Sequence, residues 1–116
     1  MTARESTFAP LRRRERERRI AALRQRLRDT LGTDDCSVWL FGSLARGDWD
    51  GFSDTDLLVV GANQDAAERA ADQLMEALVG DDVLAIDQER WQAMDCSPSP
   101  HWRAIRAQAI RLHPEP

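Results

Sequence analysis

A mixed α/β (α+β) domain, a small mixed sheet with helices packed on it, is the fold class this chain predicts. Segments with apolar residues three and four apart alternate with short apolar runs of strand length, which is the pattern of helices laid on a sheet. The run Leu57-Leu58-Val59-Val60 is apolar on both faces of a strand and so predicts a central one. The 116 residues suit one domain and leave little room for a second.

Residues 1–10 read as a flexible N-terminus ending at Pro10, and 11–116 as the single domain. From Leu11 to about Leu31, Ile20, Leu23, Leu27 and Leu31 make one helical stripe, with Gly32 where a C-cap belongs. Within this helix the Arg-rich stretch Arg12–Arg19 has two readings. It is either a phosphate- or RNA-facing patch or a surface for an acidic partner, or a solvated turn with pairs such as Glu15–Arg19. Ser37–Phe41 reads as a short buried strand, Ser43–Gly47 as a brief helix, Trp49–Phe52 as a loop and Asp56–Val60 as a second strand. A helix follows over Asp65–Val79, then a third strand over Asp82–Ile86 and a short helix over Gln88–Met94. Ser97-Pro-Ser-Pro100 breaks the chain, His101–Gln108 is helical, and Ala109–Leu112 reads as an edge strand.

The bulk numbers exclude several classes of function. A net charge of −4 gives no chain-wide basic excess for nucleic acid. All 16 basic residues are arginine. Cys36 and Cys96 have no metal-ligand spacing and read as free thiols. No apolar run approaches the ~20 residues of a membrane span, and no apolar stretch behind the N-terminal charges suggests a secretory signal. A cytoplasmic protein with no membrane partner is the expectation.

The chemistry concentrates between Phe41 and Val60. In a strand, residues two apart share a face, so Asp54 and Asp56 project together while Thr55 turns away. Adjacent carboxylates repel each other, and a divalent cation between them relieves the repulsion. Gly42-Ser43, separated from Asp54 by ten residues, ends the preceding strand as a turn that can offer N–H groups and a hydroxyl to a phosphate. Arg46, three residues after Ser43, returns a guanidinium toward the same place. Metal and phosphate together suggest nucleotide chemistry. Trp49 has two readings, a base-stacking ring or plain loop packing, and His101 and His113 read as surface or packed histidines.

Gly42-Ser43, Ala45-Arg46-Gly47 and Ser53-Asp54-Thr55-Asp56-Leu57 resemble the signature of the DNA polymerase β-like nucleotidyltransferases, most closely the minimal nucleotidyltransferases of bacteria and archaea. The resemblance implies a polymerase β-like fold and transfer of a nucleoside monophosphate from an NTP, such as AMP from ATP, to a hydroxyl. It assigns two Mg²⁺ ions to Asp54, Asp56 and a third carboxylate, and the nucleotide to Gly42, Ser43, Arg46 and Ser53. For the third carboxylate the chain offers Asp81, Asp82 and Asp87. An acidic residue opening an apolar strand before Glu89-Arg90-Trp91 resembles the family's later segment and selects Asp82, whereas Asp87 suits a helix N-cap. The resemblance also implies a partner. Minimal members pair with a small helical RNase toxin of the HEPN class and silence it by adding AMP to a tyrosine. The alternatives are a stand-alone toxin that modifies tRNA ends and an antitoxin subunit that mainly binds.

Overall fold

Ile20, Leu27 and Leu31 are buried, with Leu23 packed beside them, on one face of α1 (Ala3–Leu31). The structure, a computed structural model, describes residues 3–32, 35–48 and 54–115. The helix begins at Ala3, upstream of the expected start at Leu11, and contains Pro10. A proline removes one helical hydrogen bond locally, and Pro10 and the four residues after it are exposed. Gly32, at φ 61°, ends the helix as the C-cap residue and donates to the Arg28 carbonyl.

Four strands form one sheet in the order β3-β2-β1-β4. They are β1 (Cys36–Phe41), β2 (Asp56–Gly61), β3 (Asp82–Asp87) and β4 (Ile110–His113). β1 runs antiparallel to β2 and β4, while β2 and β3 are parallel, so the sheet is mixed as expected. The parallel pair requires a crossover, supplied by α3 (Gln64–Glu76), which is N-capped by Asn63. Leu57 to Val60 are all buried in β2, which lies between β1 and β3. β4 is the expected edge strand.

Strand alternation divides the sheet into two faces. Val38, Leu40, Leu57 and Val59 pack with α1, α3 and Leu112 in the larger core. Leu58 and Val60 pack on the other side with Trp39, Phe41 and Ile86, under α4 (Gln88–Ala93) and α5 (Pro100–Gln108). The helices therefore cover both faces. Trp39 and Trp91 meet with ring centroids 4.7 Å apart, and Arg106 lies 4.4 Å over the Trp91 ring.

α3 ends at Glu76, short of the expected Val79. The Leu78 N–H donates to the Met75 carbonyl and the Val79 N–H to the Leu74 carbonyl, a Schellman ending. Leu78 takes the left-handed position at φ 58°, where glycine is usual, and returns Val79 to the core. No helix among the described residues is long and apolar enough to cross a membrane.

Candidate functional site

Gly42 follows the last residue of β1 and opens α2 (Ser43–Arg46) at φ 81°, ψ −160°, a region that essentially only glycine occupies. The register pairs Phe41 with Asp56, which lays the turn beside the first residue of β2. A Cβ at Gly42 would lie 2.3 Å from Asp56 Oδ2. The glycine is thus required twice, by its backbone angles and by the carboxylate pressed against it. α2 closes at Gly47, where φ 90° lets the backbone donate to the Ser43 carbonyl.

β2 and β3 pair in parallel with Asp56 opposite Asp82. Alternation puts both on the face that carries Leu58, Val60 and Ile86 further along the same strands. Asp56 is half-buried. Its carboxyl is pushed above the ordinary value of 3.8, first by burial, then by the charges of Asp82, Asp54 and Asp81, and by a side-chain hydrogen bond with Asp82. Two carboxylates can share a hydrogen bond only through a proton. Among the described residues, no three His, Cys, Asp or Glu side chains are gathered closely enough to hold an ion as they stand.

The other two candidates for the third carboxylate are occupied elsewhere. Asp81 accepts from the Thr55 N–H at 2.7 Å, while the Thr55 carbonyl accepts from the N–H groups of Asp81 and Asp82. That clamp holds the entry to β2 against the entry to β3. Asp87 caps α4 by accepting from the Arg90 N–H at 2.7 Å, the role its position suggests.

The arginine-rich part of α1 supports the site from behind. Arg16 donates to the carbonyls of Leu44 and Ala45, at 2.8 and 2.9 Å, gripping the backbone of α2. Arg19 reaches the buried Thr55 hydroxyl at 3.2 Å. Glu15 pairs with Arg18, three residues on. Arg16 and Arg19 fit neither sequence reading: they hold the two halves of the motif in place, and only the tertiary fold reveals it.

A cleft of about 390 Å³ opens on the carboxylate face. Gly42, Ser43, Arg46, Asp54 and Asp56 line one side of it. Asp54 and Arg46 are exposed, and Arg46 pairs with Asp48 at 3.3 Å. α5 also lines the cleft, through His101, Ala104, Ile105 and Gln108. His101 is exposed, as expected, and it also lines this cleft. Its spacing to Gln108, nearly two helical turns, was a signal that both share a helix face, but nothing in the sequence said which surface that face meets. A larger cavity, about 490 Å³, lies between α4 and α5 around Ile86, Met94 and Trp102 and contains no carboxylate. The carboxylates and the Gly42 turn mark the smaller cleft as the candidate site. Ser53 and Trp49 lie outside the described residues.

Residues 20–96 match a family model described as a nucleotidyltransferase domain. The match covers more than half of the chain and includes β1, α2, β2, α3, β3 and α4, and it stops before α5 and β4. No curated protein matches the chain.

Proposed function

The chain belongs to the nucleotidyltransferase domain family of the DNA polymerase β-like superfamily, and from that premise we propose that it transfers AMP from ATP to a tyrosine hydroxyl of a HEPN-class RNase toxin, acting as the antitoxin. The observation that carries the catalytic part is the meeting of the Asp56 and Asp82 carboxylates beside the Gly42 turn. Hard oxygen donors that repel one another are of the chemistry that holds a divalent cation, and Asp54, Asp56 and Asp82 would hold Mg²⁺ once drawn together around it. When bound, Mg²⁺ neutralises the triphosphate and lowers the pKa of the acceptor hydroxyl.

The chain's own residues supply the rest. The Gly42–Ser43 backbone and the Ser43 hydroxyl bind the β- and γ-phosphates, and Arg46 adds a cation to the same group, with Ser53 as a further nucleotide contact. Arg16 keeps α2 in place while this happens. The acceptor oxygen attacks the α-phosphorus, the bond to the pyrophosphate oxygen breaks, and Asp82 takes the acceptor's proton. Positioning and charge neutralisation account for the acceleration, as in other phosphoryl transfers.

A protein acceptor is favoured over tRNA by charge. The chain carries −4 overall, and two arginines of the basic stretch are committed to Leu44, Ala45 and Thr55. The chain contains no tyrosine, so a modified tyrosine must belong to a partner. The test incubates labelled ATP and Mg²⁺ with this protein and either a HEPN-class partner or bulk tRNA. Label on the partner's tyrosine, lost in Asp54→Ala, is the expected result. Label on tRNA that weakens steeply with salt would replace this reading with a tRNA-modifying one. Inhibition of the partner without any label would leave a binding subunit.

A further inference from the structure

We propose that α5 is the nucleoside-binding wall of the cleft, with His101 and Gln108 as the residues that hold base and ribose. This inference rests on the reading of the Gly42, Ser43 and Arg46 side as the triphosphate site. α5 lies outside the residues that match the family, so the assignment comes from this chain's own geometry.

His101, Ala104, Ile105 and Gln108 follow a 3-1-3 spacing that places all four on one helix face. That face lines the same cleft as Gly42, Ser43 and Asp56. At 1.5 Å per residue, His101 and Gln108 stand roughly 10 Å apart along the helix axis, about the length of a nucleoside. Between them, the small exposed side chain of Ala104, backed by the buried Ile105, leaves a low apolar surface on which a flat base can lie. An imidazole and a carboxamide at its two ends supply directional hydrogen bonds to the base edge and the ribose hydroxyls. Neither His101 nor Gln108 carries a fixed charge of the kind that a triphosphate would recruit. The two walls therefore divide the nucleotide by chemistry, with phosphates toward Ser43 and Arg46 and the nucleoside toward α5.

The wall is anchored. Ile105 is buried in the second core, and Arg106 lies over the Trp91 ring while donating to the Trp91 carbonyl at 3.2 Å. At the other end, Ser99 caps the helix through the Trp102 N–H. The register also fixes the approach. Leu40 pairs with Ile110, which brings the end of α5 back beside the turn that ends β1.

The test compares two probes on the full chain with Mg²⁺. ATP engages both walls, and inorganic tripolyphosphate engages only the phosphate side. By titration calorimetry, His101→Ala and Gln108→Ala should each weaken ATP about tenfold and move the ATP-to-GTP affinity ratio toward one. Ala104→Leu, which fills the bed, should weaken ATP further. Tripolyphosphate affinity should stay within about twofold in all three variants. Loss of both probes together would mean that α5 acts only through the fold, and unchanged ATP affinity would mean that it does not touch the nucleotide. Either result overturns this proposal and leaves the phosphate site standing. A wild-type chain that binds neither probe would overturn the phosphate site and this proposal with it.

Discussion

Gly42→Ala tests the site at its tightest contact. The new methyl carbon would lie 2.3 Å from Asp56 Oδ2 and 3.3 Å from its Cγ, where ordinary contact begins near 3.4 Å. The carboxylate must therefore retreat by about 1 Å or the turn must open. Alanine also has to accept φ 81° and ψ −160°, which costs about 1–3 kcal/mol. For a chain of this size, at roughly 4 °C per kcal/mol, the melting temperature should fall by about 4–12 °C. A 1 Å displacement of a positioning group costs on the order of a hundredfold in rate, so transfer should fall by about that factor. Calorimetric melting and label transfer measure the two effects separately. In Gly42→Ala/Asp56→Ala the clash is gone, because the Asp56 Cβ is already 3.5 Å from the new carbon. The double variant should recover part of the stability and none of the activity. If Gly42→Ala melts within about 2 °C of wild type and keeps more than half its rate, the carboxylate is not held against the turn and the Gly42–Asp56 contact does not shape the site.

Asp56→Asn probes the repulsion itself. A raised carboxyl pKa contributes stability below the ordinary value of 3.8 and loses it as pH rises through the raised value. In chelator at neutral pH the Asn variant should therefore melt at or above wild type, with the difference vanishing below about pH 3.5. Mg²⁺ with ATP should raise the melting temperature of wild type only; an equal rise in the variant would remove Asp56 from the site. Arg16→Ala removes both grips on α2 and should cost about 1–2 kcal/mol, with a raised KM for ATP, while unchanged melting and kinetics would show that α2 holds itself. Leu78→Gly relieves left-handed strain of about 1–2 kcal/mol, offset by ~0.5–1 kcal/mol of added chain entropy. The Leu78 side chain is 79% exposed, so little burial is lost and the variant should melt slightly higher; a lower melting temperature would show that the side chain has a packing role.

By itself the sequence determined the parts whose physics is local. The 3-4 spacing of Ile20, Leu23, Leu27 and Leu31 makes a helix wherever it sits, and four consecutive apolar residues at Leu57–Val60 require cover on both faces. Gly42-Ser43 and Asp54-x-Asp56 were legible for the same reason, because turn chemistry and a two-residue strand period are properties of neighbouring residues. Asp87 as a cap was legible too. What only the tertiary structure decided depends on distant segments meeting. The parallel register of β2 and β3 sets Asp82 opposite Asp56, while Asp81, one residue earlier, is taken by the Thr55 N–H. Arg16 and Arg19 look like any solvated charges until α1 packs behind α2 and Thr55, and the cleft that exposed His101 lines exists only once α5 folds over the carboxylate face. A side chain's type and spacing fix which face it shares, but the surface that this face meets is set by packing across the whole chain.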